Sequence, residues 1–436
     1  MQQSSSTDHR PPATPRHVLG LIFIIVFIDL LGFAIVLPLL PRYAERFQAS
    51  GLEIGLLFAS FSAMQFLFAP FWGRLSDRIG RRPALLAGLI GSVIFYALFG
   101  VATIVESLAL MFVSRIGAGI CGATISTAQA YIADATGVRD RAKGMAIIGA
   151  AFGVGFTFGP ILGSITLPHA PVEGGLEPLN PLPGFLASGL SLIAFVLALL
   201  KLPESLRRDI APPKRTLLDM TALRSAISTP SVGALLLLVF VSTFAFASFE
   251  ATLSLLTGHA LGYGDRGNFW FFTYIGLTLT IVQGGIVRRI APRVGEPALV
   301  MSGLLLLGVG LWLVNVAAGH SSSAGMLAVI PLVVTGMSFV TPSTYALISR
   351  RSDPARQGEI LGLNQSVAAM ARILGPLCGN VLFDYGMRLP YQVGAVLIVP
   401  TILLAVRALR AGSDWPQSEP QEAPLVDAVA EASAQE

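Results

Sequence analysis

The stretch GRLSDRIGRRP, residues 73–83, is a dense polar insert between two long apolar runs. The runs at 51–72 and 84–103 are each long enough to cross a hydrocarbon core of about 30 Å as a helix. Only a short connection fits between them, so the insert is predicted to be a loop that joins two membrane helices. Its four arginines predict a cytoplasmic position, because short loops rich in Lys and Arg stay on that side of the membrane.

The composition is that of an integral membrane protein. Hydrophobic residues make up 53% of the chain and charged residues 12%, whereas soluble domains have about 25% charged residues. The basic residues are spread over short connections, which argues against a nucleic-acid-binding surface. Cys121 and Cys378 fall inside apolar runs and are predicted to be buried free thiols. The run that begins at His17 is long enough to be retained as the first membrane helix.

Twelve apolar segments of about 20 residues predict twelve membrane helices. They are predicted at 17–40, 51–72, 84–103, 107–132, 144–167, 184–202, 231–257, 268–287, 297–318, 324–348, 357–384 and 390–410. The predicted domains are a cytoplasmic tail (1–16), a six-helix bundle (17–202), a cytoplasmic central loop (203–230), a second six-helix bundle (231–410) and a disordered cytoplasmic tail (411–436). Within the central loop, residues 216–228 fit either a helix on the membrane surface or a plain linker.

The distribution of Lys and Arg predicts that both termini are cytoplasmic. With that orientation, most of the 29 basic residues lie in inner loops and tails. The exceptions are four in outer loops and two within spans: Arg42, Arg46, Arg266 and Arg388, and then Arg115 and Arg372.

The two halves of the sequence are similar to each other. Residues 293–297 repeat 78–83 in loose form, and 356–379 repeat 141–163. Two parallel six-span repeats predict a transport path between them, near the bilayer midplane.

Residues 73–85 resemble the signature loop of the major facilitator superfamily, and the resemblance extends over roughly 17–410. Within that superfamily the chain resembles the twelve-span drug:proton antiporters, and tetracycline efflux proteins in particular. The segments that support this narrower resemblance are 29–32, 64–66, 69–70, 115–122, 131–134, 155–160 and 202–205.

The resemblance implies the all-α major facilitator fold, with twelve transmembrane helices in two pseudo-symmetric six-helix bundles. It implies a multi-pass monomer of the cell (inner) membrane, surrounded by lipid and without a cofactor. Its expected activity is proton-coupled efflux of small amphipathic molecules, such as drugs or tetracycline, by alternating access. An importer or facilitator of a sugar or small metabolite on the same fold is the alternative.

Two carboxylates within the spans are candidates for proton coupling. Asp29 and Glu250 each lie in an apolar helix, where a carboxylate costs several kcal/mol unless it faces water, has a partner or takes up a proton. The resemblance makes one or both of them the site where proton and substrate compete. A permanent ion pair or a protonated acid bonded to a neighbouring helix is the structural alternative.

Polar residues in other spans complete the predicted cavity. Arg115 cannot lose its proton and must be paired or hydrated; the resemblance links it to proton coupling, with Gly119 at the matching spacing. Arg372 has either a structural or a functional role. Gln65 and Gln129 either line the cavity or form hydrogen bonds between helices.

The polar stretch is interpreted as gating machinery rather than as a binding site. Asp77 is placed at the positive end of a helix from the other half, and Arg78 or Arg82 is predicted to pair with Asp134. In the second half Pro292 replaces the Asp and Arg288 replaces the first Gly, so the gate is predicted to be one-sided. The gating residues are Gly73, Asp77, Arg78, Gly80, Arg81, Arg82 and Asp134.

A glycine-proline pattern in the fifth span completes the resemblance to exporters. Gly155, Gly159 and Gly163 allow close helix packing, and Pro160 introduces a kink. A simple packing motif is the alternative. The sequence has no GxxxxGK nucleotide-binding loop and no metal-ligand cluster among its five histidines, so neither an enzyme nor ATP-driven export is expected.

Overall fold

The computed structural model describes residues 16–136, 141–167, 179–206, 230–353, 357–412 and 414. The described chain is helical throughout and contains no strand. Its helices are α1 (Arg16–Val36), α2 (Leu40–Arg46), α3 (Gly51–Ile79), α4 (Arg81–Ile104), α5 (Leu108–Gly122), α6 (Ile125–Ala135), α7 (Arg141–Ile165), α8 (Leu182–Lys201), α9 (Pro230–Leu261), α10 (Asp265–Ile281), a π-helical segment (Val282–Val287), α11 (Arg288–Val294), α12 (Glu296–Gly319), α13 (Ser323–Arg350), α14 (Gln357–Tyr385) and α15 (Leu389–Ala411).

Within the described residues, twelve helical stretches are long and apolar enough to cross a membrane, which confirms the predicted number of spans. They alternate in direction, so one end of the bundle carries the helix ends at Arg16, Ile79 and Ala411. We call this end the terminal face, and the opposite end, with the connection at 262–264, the distal face. The predicted surface helix at 216–228 and nearly all of both predicted tails lie outside the described residues.

Three spans are irregular. The first is interrupted at Leu37–Leu39 and resumes as α2, where Pro41 lies in the first turn; proline is tolerated there because its nitrogen would have no helical partner. The fourth is interrupted between α5 and α6. The eighth changes to a π-helix at Val282–Val287, which contains adjacent glycines, and π segments of this kind are frequent at functional sites.

The polar stretch is not a loop, as the sequence predicted, but mostly helix. Residues 73–79 continue α3, residues 81–83 begin α4, and only Gly80 stands between them. Gly80 has φ 109° and ψ 157°, a conformation available essentially to glycine alone. A Cβ here would lie 2.3 Å from a carboxylate oxygen of Glu204. Backbone geometry and the close approach of Glu204 therefore both require glycine.

In the described chain the two halves contact each other mainly through two helix pairs, α3 with α14 and α7 with α10, and less extensively through α2 with α9. Glycines allow both of the main approaches. A Cβ on Gly55 would lie 2.8 Å from Leu377 Cα, and one on Gly276 would lie 2.3 Å from Phe156 O. Without competing water, such packing of small residues is what holds helices together in lipid.

We predict that Gly80→Ala destabilises the N-terminal half by about 1–3 kcal/mol, because it adds backbone strain. The measurement is the thermal unfolding midpoint of the purified protein in detergent. Gly189→Ala is the matched control, since a Cβ at Gly189 meets nothing within 4 Å. Equal midpoints for the two variants would contradict the prediction.

Candidate functional site

A central cavity lies between the halves and carries three charged side chains. Arg115 of α5 lines it from the first half, and Glu250 of α9 and Arg372 of α14 line it from the second. The remaining lining is mostly apolar and includes residues of α1 and α3: Phe33, Leu37, Leu40, Phe58, Phe61, Ser62, Ala247, Ala251 and Pro376. Its volume is about 80 Å³, below the roughly 300–1,000 Å³ of drug-sized pockets. A cargo of that size therefore needs the helices to separate.

Arg115 is almost fully buried, with 2% of its surface exposed. Its Cζ lies 4.7 Å from the centroid of the Phe61 ring, a cation–π contact that stabilises a desolvated guanidinium by about 2 kcal/mol. Its Nε has no hydrogen-bond partner. The charge is thus retained in an apolar position with incomplete compensation.

The glycine four residues after Arg115 explains how the aromatic partner reaches it. A Cβ on Gly119 would lie 2.5 Å from Phe61 O. Because Gly119 has no side chain, α3 can approach α5 closely enough to place Phe61 against the guanidinium. The RxxxG spacing therefore has a packing cause that the sequence analysis did not identify.

Glu250 and Arg372 are close enough for their charges to interact. In the described chain neither forms an ion pair within 4 Å. The Arg372 side chain is exposed although it belongs to the middle of α14. A loosely coupled pair of this kind can exchange partners, because neither charge is fixed by a short contact.

Arg372 also lines a second cavity of about 70 Å³ inside the second half. This cavity lies between α9, α13 and α14, and its polar lining consists of hydroxyl groups from Ser242, Thr243, Thr341, Thr344 and Tyr345. The three on α13 are spaced three and four residues apart from Thr341, which puts them on one helix face.

Asp29 lies apart from the residues that line these two cavities. Its Oδ1 is buried without a hydrogen-bond partner. Its neighbours are Ser92 and Tyr96 of α4 and Cys121 of α5. The structure therefore does not bring Asp29 and Glu250 into one cavity, and a role for Asp29 in proton coupling remains a prediction.

The two glutamines also lie away from the lining. Gln65 of α3 donates from Nε2 to Gly122 O at 3.3 Å, which is the interhelical hydrogen bond that the sequence left open. Gln129 is half-buried on α6. Gln65 thus acts as a contact between α3 and α5.

Arg81 is the centre of an ionic cluster at the terminal face. Its Nη1 lies 2.5 Å from Asp77 Oδ1 and its Nε lies 2.9 Å from Asp134 Oδ2. It also donates to Ser76 Oγ at 2.7 Å. The prediction that Arg78 or Arg82 pairs with Asp134 is therefore wrong, because the break at Gly80 turns Arg81 inward. Arg78 is exposed, and Gly73 is buried on α3.

Glu204, just after α8, caps the beginning of α4. Its carboxylate accepts the backbone N–H groups of Arg81 at 2.8 Å and Arg82 at 3.1 Å, and a carboxylate at a helix N-terminus is favoured by the helix dipole. The side chain of Arg82 donates to Leu199 O at 2.7 Å. Tyr131 donates to the adjacent Pro203 O at 2.9 Å. The terminal-face ends of α3, α4, α6 and α8 are thereby tied together within one half.

At the distal face, by contrast, polar contacts join the two halves. Arg42 pairs with Asp265 at 2.8 Å and donates to Tyr263 O at 2.5 Å. His259 Nε2 lies 2.7 Å from Glu45 Oε1. Further contacts run from the backbone N–H of Gly51 to Asp384 at 2.7 Å, and from Arg266 to Leu167 O at 3.0 Å. The structure is therefore closed at the distal face.

The glycines of α7 contact both halves. A Cβ on Gly155 would lie 3.2 Å from Leu30 Cβ, and one on Gly159 would lie 2.6 Å from Ala34 Cβ, both on α1. A Cβ on Gly163 would lie 2.5 Å from the ring of Phe269 on α10. Pro160 lies inside the same helix. The pattern thus provides close packing toward α1 and across the interface between the halves.

The sequence matches the Major Facilitator Superfamily over residues 22–376 and 289–433. The chain belongs to that superfamily. It is 31% identical over 407 residues to the Escherichia coli "Tetracycline resistance protein, class C", covering 89% of this chain and 95% of that protein. It is 28% identical over 389 residues to "Multidrug resistance protein 2" of Bacillus subtilis, covering 87% and 93%. The crystal structure of the human organic anion transporter MFSD10 (TETRAN) superposes with a TM-score of 0.65 at 27% identity, covering 91% of this chain and all of that one.

Superfamily membership confirms the predicted fold and makes the protein a multi-pass membrane transporter. The structural neighbour is likewise a transporter. In such proteins small-molecule cargo binds between the halves, which is where Arg115, Glu250 and Arg372 meet.

We predict that Arg42→Gln opens the distal face, because it removes the ion pair with Asp265 and the bond to Tyr263 O. Spin labels at positions 49 and 260, in a background lacking both cysteines, would report a larger population of long distances. Arg388→Gln, an exposed arginine at the same face, is the control and should leave the distances unchanged. An unaltered distribution in Arg42→Gln would show that these contacts do not hold the face closed.

Proposed function

We propose that the protein is a proton-coupled antiporter that exports small amphipathic molecules by alternating access. The observation that carries the proposal is the central cavity, in which one carboxylate, Glu250, lies among apolar side chains together with two arginines. A carboxylate at this depth can hold a proton in one state and a cargo group in the other. Two relatives, a tetracycline resistance protein and a multidrug resistance protein, support export as the direction.

The proposed orientation puts the terminal face in the cytoplasm, because that face carries most of the Lys and Arg residues in connections. The structure is then an inward-facing or occluded state, with its polar contacts between halves on the outside. Opening to the outside requires the Arg42–Asp265 and His259–Glu45 pairs to separate. We place the protein in the cell (inner) membrane as a monomer surrounded by lipid.

The Arg81 cluster is proposed to act in gating. In the present state it joins helix ends within the first half. When the terminal face closes, Asp77 is proposed to contact the beginning of a helix of the other half, as the sequence analysis suggested. Such an exchange of ionic partners is a known way to couple rigid-body movement to two stable arrangements.

The proton cycle assigns a direction to each step. Glu250 takes up a proton from the outside, which weakens its hold on the cargo, and loses it to the cytoplasm after the cavity reverses. Binding of proton and cargo to one group is mutually exclusive, and this exclusion is what couples the two movements. Asp29 is a second proposed proton site, acting through the α1–α4 contact rather than on the cargo.

We predict that Glu250→Gln abolishes proton release triggered by cargo, because the amide cannot titrate. The assay uses purified protein in lipid vesicles, a pH-sensitive dye, and tetracyclines, cationic dyes and sugars as candidate cargo. Asp29→Asn, measured in parallel, distinguishes the contribution of Asp29 to proton release from that of Glu250. Transport of a sugar alone, unaffected by either substitution, would instead identify a facilitator or importer.

A further inference from the structure

The charges in the central cavity do not cancel. Arg115 and Arg372 are both cationic, and Glu250 is the single acidic residue in the lining. Glu250 is close enough to Arg372 for their charges to interact, although the two form no ion pair within 4 Å. Arg115 contacts the face of Phe61, and its Nε has no acceptor. It also interacts with Tyr96, which in turn interacts with Asp29 outside the lining. The lining itself therefore carries one more positive charge than negative charge.

Arg115 combines a place in the cavity lining with a buried Nε that has no acceptor. The guanidinium is permanently charged and has five N–H donors in a fixed plane. Leaving such a donor without an acceptor in a buried position is unfavourable. A carboxylate or sulfonate on a ligand matches that plane better than a neutral group does.

We infer that the cargo is amphoteric, with an anionic group that binds Arg115 and a cationic centre that binds Glu250. An apolar body between the two charges contacts Phe33, Phe58 and the rest of the apolar lining. Arg372 lines the same cavity and is inferred to turn from Glu250 toward the anionic group when the cationic centre arrives. The inference rests on the proposed function in one respect, namely that Glu250 exchanges a proton for cargo.

Cargo with one sign of charge fits the cavity less well. A purely cationic molecule leaves Arg115 without an anion and adds a third positive charge to the lining. A purely anionic molecule satisfies Arg115, but it binds more tightly when Glu250 is protonated, because the site is then more positive. Proton and anion would then favour each other's binding, which couples them in the same direction rather than in exchange.

Three dyes that share one tricyclic scaffold test this inference. Rhodamine 110 has a carboxylate and a cationic ring system, rhodamine 123 is its methyl ester and is only cationic, and fluorescein is only anionic. The full chain is reconstituted in lipid vesicles, and dye transport and proton release are recorded together. We expect rhodamine 110 to be exchanged for protons about tenfold more efficiently than either other dye, as the loss of one charged contact predicts.

Two arginine variants test the residue assignment. Arg115→Gln should reduce the rate of proton exchange with rhodamine 110 to the rate measured with rhodamine 123. It should not lower the rate with rhodamine 123. A buried arginine also contributes to folding, so Arg372→Gln, at an exposed position, provides an independent test. It should lower the ratio of the exchange rate with rhodamine 110 to that with rhodamine 123. Arg388→Gln is the control and should keep the ratio of the unmodified protein. Each variant is first compared by its thermal unfolding midpoint.

The outcomes separate the inference from the proposed function. Equal proton exchange with rhodamine 110 and rhodamine 123, or an unchanged ratio in folded Arg115→Gln, would overturn the amphoteric cargo and leave the antiporter intact. If fluorescein were the preferred dye, the cargo would not need a cationic centre, and that part of the inference would be wrong. Dye movement without any proton release would overturn the exchange mechanism and the inference that depends on it.

Discussion

The Arg81 guanidinium joins the terminal-face ends of the first half. It lies between Asp77 of α3 and Asp134 of α6, and its own backbone N–H is held by Glu204 after α8. With four helix ends linked, the half can tilt as one body instead of losing individual helices to the lipid. In the present state these charges are compensated within the half.

Hydropathy was sufficient to predict twelve spans, because a membrane requires about 20 apolar residues per helix and satisfied backbone groups. It could not predict that residues 73–79 remain helical, since charged residues at a membrane surface are compatible with helix or loop. The break at Gly80 resets the helical phase, which is why spacing failed to select Arg81 over Arg78 and Arg82. Capping by Glu204, which lies over 120 positions away in sequence, leaves no local pattern.

The sequence was sufficient to identify the ionisable residues of the candidate site, but not to predict which of them share one cavity. Arg115, Glu250 and Arg372 were recognisable as ionisable residues inside spans, and the structure brings them to one cavity. Asp29 was equally recognisable, yet it faces α4 instead. The rotation of a helix that is apolar on all sides is set by its neighbours, so periodicity cannot assign such a residue to the cavity. Only the packing of Gly119 against Phe61 explains how Arg115 is retained there.

The contact between α7 and α10 has a mechanical consequence. The hydroxyls of Thr157, in the C-terminal part of α7, and Thr280, at the end of α10, meet at 3.1 Å, and Gly153 beside them leaves room for Thr280. From Thr157, α7 extends to Arg141 over about 24 Å at a rise of ~1.5 Å per residue. A rotation of about 10° around this point would therefore displace the helix end by about 4 Å while the hydroxyls move hardly at all. The contact can serve as a fulcrum, with the long helices on either side as its lever arms.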